Sequence, residues 1–361
     1  MKKIGLFAIL ALWLLLCVTA WVRPSDEISE SERRKLQQFP AVSVKELLSG
    51  DWMEDFESYT LDQFPFRDTF RRVKALAHYN LLGQKDNNGI YIADGYAAKL
   101  EYPLNENSLN HALDKFQKIY EKYLTGSKVW FSVVPDKGYF LAEANGYPAL
   151  DYGALMETMA AGMPWAEFVD ISGDLALESY YKTDTHWRQE QILNVAQTLC
   201  EVMGTGSFGE EDLVSEKLER PFYGVYYGQA ALPMDAEQMV LLHHEILKHC
   251  TVYNHENGKT TDLYDDSKLE SQDLYDVFLS GAAALLTIEN PAGEPGKELI
   301  VFRDSYGSSL IPLLVKDYAK VTVIDTRYVA PMLLDKFVEF KGQDVLMLYS
   351  TLLLNNSFSL K

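Results

Sequence analysis

Glu298-Leu299-Ile300-Val301-Phe302-Arg303-Asp304-Ser305-Tyr306-Gly307-Ser308-Ser309-Leu310-Ile311-Pro312-Leu313-Leu314 is an apolar run, a polar turn and a second apolar run. Glu298 to Phe302 has the length and composition of a buried strand. Gly307 to Lys316 has those of a helix, so Arg303 to Tyr306 turn the chain between them. The alternation continues downstream: Val321 to Ile324 reads as a strand, Ala330 to Phe340 as a helix and Asp344 to Leu348 as a strand. Upstream, Asn105 to Leu124 reads as a helix with Leu109, Leu113, Phe116, Tyr120 and Tyr123 on one side. Lys128 to Val134 follows as a buried strand ended by Pro135. Strands alternating with helices imply right-handed crossovers and a parallel sheet covered on both faces, hence an α/β fold. Such sheets bind ligands at the carboxyl ends of their strands, and Ser305 lies just past one of those ends.

The front of the chain differs. Lys2 and Lys3 precede an uncharged, mostly apolar run from Ile4 to Val22, about 28 Å long as a helix, one hydrocarbon thickness. The lysines direct the N-terminus to the cytoplasm and the rest to the extracytoplasmic side. The run exceeds the usual apolar stretch of a signal peptide, so residues 1–22 read as an uncleaved anchor. Val18-Thr19-Ala20 is an acceptable cleavage site, which leaves secretion as the alternative. Leu16 before Cys17 is too large for a lipidation site. Residues 23–50 form a polar, acidic stem in which Ser29 to Leu36 starts a short helix, ended by Phe39-Pro40. One α/β catalytic domain is expected over 51–361. It opens with one or two amphipathic helices over Trp52–Tyr79, interrupted at Phe64-Pro65-Phe66. A turn at Asn87-Asn88-Gly89 precedes the short strand Ile90–Ile92, a helix begins at Arg188 and stops at Gly204, and residues 205–275 make a long excursion around the site.

With 361 residues, 47% hydrophobic and 24% charged, the chain can bury a sizeable core. Its 33 basic and 52 acidic residues leave a net charge of −19, which argues against nucleic acid and against docking on anionic headgroups. There is no Gly-rich phosphate loop, and nothing calls for a cofactor or metal: His243, His244, His249 and Cys250 suit no standard zinc spacing. Cys200 and Cys250 could pair in an oxidising compartment or remain two buried thiols.

Two segments carry chemistry. Asp184-Thr185-His186-Trp187 can set a carboxylate beside an imidazole, because residues two apart on an extended segment point the same way and a tight turn lets the carboxylate reach the ring. Ser305, between a strand and a helix start, would expose its hydroxyl where backbone N–H groups near Ser305 and Tyr306 can hold an oxyanion. Nucleophile, base and orienter for acyl transfer are then Ser305, His186 and Asp184, whatever their chain order. Plainer roles remain open: Ser305 as a helix cap, and Asp184-Thr185 as the cap of the next helix with His186 incidental. Lys137 and Arg327 lie at expected strand ends and could border the cleft with Arg303 and Tyr306. Lys137 could equally be solvated, and Arg327 could pair with Asp325 or Asp304. Trp187 packs the turn or lines a sugar-binding surface. Phe222 to Tyr227 lines an acceptor groove or belongs to the core.

Tyr181-Lys182-Thr183-Asp184-Thr185-His186-Trp187 resembles the Asp-His-His-Trp signature of the DHHW protein family and is similar to the Asp-x-His-Trp motif of alginate O-acetyltransferases. Thr185 replaces the first histidine of the signature, and His186 keeps the position of the catalytic one. Ser31-Glu32-Arg33-Arg34-Lys35-Leu36, Asp62-Gln63-Phe64-Pro65-Phe66-Arg67, Val134-Pro135-Asp136-Lys137, Arg303-Asp304-Ser305-Tyr306 and Ile324-Asp325-Thr326-Arg327 extend the resemblance from the stem to the last strands. The resemblance implies an SGNH-hydrolase-like α/β domain, a parallel sheet flanked by helices in circularly permuted order. It carries over Ser305 as nucleophile, His186 as base and Asp184 as orienter. It also implies an extracytoplasmic setting, a polysaccharide or other glycan as acceptor, and a membrane protein that exports acyl groups as partner. The expected activity is O-acetylation of a cell-surface or secreted polysaccharide. A carbohydrate acetylesterase and a non-catalytic surface binding or assembly module are the alternatives.

Overall fold

The computed structural model describes residues 2–29 and 31–361. Glu30, one position of the expected stem helix, lies outside the described residues. The chain divides into two compact units, Met1–Asn88 with Tyr227–Met234, and Gly89–Tyr226 with Asp235–Lys361.

In the first unit the helix Lys2–Val22 contains an apolar stretch, Ile4–Val22, long enough to cross a membrane, and none of its described residues is buried within the molecule. The expected stem helix does not form. Ile28–Ser29 pairs antiparallel with Arg34–Lys35 instead. Arg33 turns the chain at positive φ, and the Glu32 carboxylate gathers Arg34, Arg67 and Arg71. Arg67 and Arg71, distant in sequence, outweigh the weak local helix preference of so short a charged segment. Asp51–Asp62 and Arg67–Leu76 are helices, and Pro65 falls in the break between them, where its missing N–H costs nothing. The helices of residues 51–76 thus fall in the first unit, and the α/β unit begins at Gly89.

The second unit is built on an eight-stranded sheet: β1 (Val129–Val134), β2 (Glu167–Phe168), β3 (Thr251–Asn254), β4 (Thr260–Asp262), β5 (Leu285–Glu289), β6 (Glu294–Arg303), β7 (Tyr318–Ile324) and β8 (Asp344–Ser350). They lie in the order β4-β3-β5-β7-β6-β8-β1-β2. β7, β6, β8, β1 and β2 are parallel, while β5, β3 and β4 extend the sheet antiparallel. Along β6, Leu299 and Val301 enter one core with α3 (Leu193–Met203) and α4 (Gly307–Leu314). Ile300 and Phe302 enter the other with α1 (Glu106–Ile119) and α2 (Tyr152–Gly162). This is the two-residue period of a strand buried on both faces. Parallel pairing brings the carboxyl ends of β1, β6, β7 and β8 to one edge, and Lys137, Ser305, Arg327 and Thr351 follow those ends.

The expected helix Ala330–Phe340 is a 3-10 segment, Pro331–Lys336. Leu334 and Val338 are buried there while Met332, Leu333 and Phe337 stay exposed, so packing gives a longer helix little support. The helix after His186 begins at Leu193, preceded by a 3-10 turn at Gln189–Gln191.

Candidate active site

Tyr180 and Trp187 form an isolated antiparallel bridge, and Tyr181 N–H donates to the His186 carbonyl at 3.1 Å. The intervening residues make a tight turn. Within it Asp184 Oδ1 accepts from the His186 backbone N–H at 3.0 Å and lies 2.6 Å from His186 Nδ1. Its Oδ2 accepts from Val225 N–H at 2.8 Å. Asp184 is buried and His186 is 7% exposed. These donors satisfy the buried carboxylate. An Nδ1–H directed at Asp184 leaves Nε2 as the basic nitrogen, and Nε2 lies 2.8 Å from Ser305 Oγ.

The imidazole is fixed from its faces as well. Tyr275 lies flat against it, with ring centroids 3.9 Å apart and planes at 3°, and Tyr306 meets it at 63°. The Tyr275 hydroxyl is 2.8 Å from Ser309 Oγ. Ser309 Oγ also accepts from Trp187 Nε1 at 3.0 Å, and that same N–H is 2.9 Å from the Tyr306 carbonyl. Trp187 has no exposed surface; it ties the histidine segment to the start of α4.

A second loop closes over Asp184. Gly224 N–H donates to Thr183 Oγ1 at 2.9 Å, and the Tyr226 hydroxyl donates to Thr185 Oγ1 at 3.0 Å. A methyl group at Gly224 would overlap the Asp184 backbone, so only glycine permits this approach. Glu237 accepts from Lys182 N–H and Thr183 N–H at 2.8 and 2.9 Å. Lys137 Nζ donates to the Tyr181 and Lys182 carbonyls at 2.8 and 3.3 Å.

On the serine side, Asp304 pins the turn. Its Oδ1 accepts from Tyr306 N–H at 3.0 Å, its Oδ2 accepts from Ser350 N–H at 2.8 Å at the end of β8, and its carbonyl accepts from Gly307 N–H at 3.1 Å. The expected oxyanion donor at Tyr306 is therefore already committed to Asp304. Among the described residues the Ser305 N–H has no acceptor. Ser305 itself remains partly exposed.

Of the other sequence-predicted residues, all but Arg327 are turned inward. Arg303 is fully buried against Gly307. Its Nη1 donates to the Asp304 carbonyl at 3.3 Å and is 3.7 Å from Asp325 Oδ2, and among the described residues its Nε and Nη2 have no partner. Burial lowers its affinity for its proton. Tyr306, Lys137 and Trp187 are likewise buried, and the Tyr306 hydroxyl donates to the Thr185 carbonyl at 2.6 Å. Arg327, partly exposed, grips Asp325 through Nε at 2.9 Å and Nη2 at 2.6 Å. Phe222 and Tyr226 are buried, while Tyr223 is exposed. Tyr275, Glu237, Val225 and Ser309 were not singled out from the sequence. Tyr275 and Glu237 come from the stretch read as an excursion around the site and Val225 from the aromatic stretch 222–227 read as acceptor groove or core, where the glycine is the one local signal of a close approach. Among the described residues no cluster of three or more His, Cys, Asp or Glu side chains could hold a metal; His243 pairs with Glu216. Cys200 and Cys250 are free buried thiols, both pushed up to about 12 by burial.

A carboxylate, an imidazole and a hydroxyl thus meet at the carboxyl edge of the parallel strands, and comparison with known proteins is consistent with the resemblance noted above. Residues 175–324 match the DHHW protein family, a span that contains Asp184, His186 and Ser305. A solved DHHW family protein from Eubacterium siraeum is similar at 21% identity, over 76% of this chain and 95% of that one, with a TM-score of 0.59. Bacillus cereus PatB1 carrying a sulfonyl adduct is similar at 14% identity, over 73% and 95%, with a TM-score of 0.55. The O-acetyltransferase domain of Pseudomonas putida AlgJ is 13% identical over 74% and 92%, with a TM-score of 0.41. No curated protein matches the chain. The second unit has an α/β fold, a mostly parallel sheet flanked by helices, shared with the solved DHHW family protein and with PatB1.

Proposed function

We propose that this chain is an extracytoplasmic acyl-transfer enzyme that O-acetylates a cell-surface or secreted polysaccharide through an acyl-enzyme on Ser305. The observation that carries the reading is the continuous relay Ser305 Oγ–His186 Nε2 at 2.8 Å and His186 Nδ1–Asp184 Oδ1 at 2.6 Å. His186 Nε2 takes the hydroxyl proton as Ser305 Oγ attacks the acyl carbonyl. The tetrahedral oxyanion forms beside the Ser305 N–H, and the donor's leaving group departs with the proton held by His186. Asp184 keeps the ring in the tautomer that presents a lone pair at Nε2 and stabilises the imidazolium. In the second half His186 deprotonates a sugar hydroxyl, which attacks the acyl-serine, and collapse of that adduct releases the sugar ester and the free serine.

Arg303, Tyr306, Lys137 and Trp187 support the relay from within the core in this reading, and Arg327 borders the approach. The apolar helix anchors the enzyme on the outer face, where a membrane protein that exports acyl groups would supply the donor. The same residues acting on water would give a carbohydrate acetylesterase; transfer requires that the acyl-serine be kept from water. A non-catalytic binding module has no need of this relay.

The test is labelling of the full chain in detergent with a sulfonyl fluoride, the reagent class matching the adduct in the PatB1 structure, followed by mass spectrometry. A single adduct that disappears in Ser305→Ala, together with acetyl transfer from an activated ester to a glycan, supports transferase. Ser305-dependent release of acetate without transfer supports esterase. A folded protein with no serine-dependent adduct or turnover refutes the enzyme reading.

A further inference from the structure

We infer that Lys137 and Glu237 form a polar clamp on the peptide groups between Tyr181 and Thr183, and that this clamp positions Asp184 and, through it, His186. The inference rests on the proposed role of the Asp184–His186–Ser305 relay. Two consecutive peptide units are gripped from opposite sides. Their N–H groups, on Lys182 and Thr183, donate to the two oxygens of Glu237 at 2.8 and 2.9 Å. Their carbonyls, on Tyr181 and Lys182, accept from Lys137 Nζ at 2.8 and 3.3 Å. Thr183 Oγ1 adds a further bond to Glu237 at 2.9 Å.

The backbone polar groups of a turn are usually left to water. Here they are matched by side chains of opposite polarity, one of which, Lys137, is itself buried. Each arm starts from a fixed point. Lys137 follows the end of β1, and Glu237 bridges Phe222 at the start of the loop whose Val225 N–H holds Asp184 Oδ2. Lys137 Nζ also lies 5.1 Å from the centre of the Tyr226 ring, whose hydroxyl bonds Thr185. The clamp therefore sets both loops that carry the Asp184 hydrogen bonds. Among the described residues no hydrogen bond or ion pair joins Lys137 or Glu237 to Ser305 or His186, so both are positioning residues.

The test compares Lys137→Met, Lys137→Arg, Glu237→Gln and the double variant Lys137→Met/Glu237→Gln, each as full chain. Displacing a reacting group by about 1 Å costs roughly 100-fold. Lys137→Met is accordingly expected to lower kcat about 10- to 100-fold with KM within about twofold, and Lys137→Arg, which keeps the donors, to recover much of it. Because both arms hold the same peptides, the double variant falls by less than the product of the single losses. A readout independent of turnover is the downfield proton of the His186 Nδ1–H···Asp184 hydrogen bond in histidine-labelled NMR spectra. It is expected in wild type and Lys137→Arg, and broadened or lost in Lys137→Met. Should Lys137→Met fail to fold, Glu237→Gln gives the same reading by a smaller kcat loss and a broadened proton. A folded Lys137→Met or Glu237→Gln that keeps the sharp proton overturns the clamp. A wild type with that proton but no serine-dependent turnover overturns the acyl-transfer reading and leaves the clamp standing.

Discussion

Replacing Asp184 by Asn tests the relay most directly, because the variant changes one atom and removes one charge. Among the described residues the carboxylate serves His186 N–H at 3.0 Å, His186 Nδ1 at 2.6 Å and Val225 N–H at 2.8 Å. An amide has a single oxygen and two donors of its own. If its oxygen faces His186, its NH2 meets Val225 N–H donor to donor. If it faces Val225, the NH2 meets the His186 backbone N–H and donates to Nδ1, which moves the ring proton to Nε2 and blocks proton removal from Ser305. Either arrangement leaves one buried N–H unsatisfied, a loss of about 1–3 kcal/mol in stability. The wrong tautomer, or the loss of charge behind a forming imidazolium, costs about 10³- to 10⁴-fold in kcat. The assay is turnover of an aryl acetate by the full chain in detergent, beside denaturant melts of both proteins. The expected result is a kcat lower by at least 10³ with KM nearly unchanged and a modestly destabilised fold. A kcat within tenfold of wild type would refute the assignment of Asp184 as orienter.

Gly224→Ala should disturb the site without touching a polar group, since the added methyl overlaps the Asp184 backbone; the loop must withdraw, Val225 N–H loses Asp184, and a kcat loss of about 10²-fold is expected by the same assay. Tyr275→Phe keeps the ring against His186 and is expected to lose less than threefold in kcat. Tyr275→Leu removes an aromatic face whose cation–π support for the imidazolium is about 1–2 kcal/mol, hence roughly 5- to 30-fold in kcat; equal rates for the two variants would dismiss the stack. Burial brings the Lys137 ammonium down to about 7, against the opposing pull of the Asp184, Glu237 and Asp136 carboxylates, while an unfolded lysine stays at about 10.4. Between those values the unfolded chain binds more protons, so this group makes stability rise with pH, by up to about 1.4 kcal/mol per pH unit. Denaturant melts from pH 7 to 10 should show a contribution of that sign which Lys137→Met lacks.

Much of the architecture was legible because it is local. The runs at 298–302, 321–324 and 344–348 are short, apolar and separated by turn chemistry, and each became a strand, lengthened by a few residues where neighbours supplied hydrogen bonds. Where a local pattern lacked a packing partner it gave way, as at 330–340. Where distant charges offered a better arrangement it was replaced, as at Ser29–Leu36, whose hairpin depends on Arg67 and Arg71.

By itself the sequence determined the parallel sheet, the apolar N-terminal helix, the position of Ser305 after a strand end and the short reach from Asp184 to His186, all of which follow from spacing along the chain. Tertiary structure alone decided that the Asp184–His186 turn meets Ser305, that Tyr275 stacks on the imidazole, that Glu237 and Lys137 grip the turn, and that Arg303 and Trp187 face inward. Those contacts join residues far apart in the chain, and the lateral order of the strands, with the loops their ends bring together, is set by the packing of two apolar faces rather than by any local pattern.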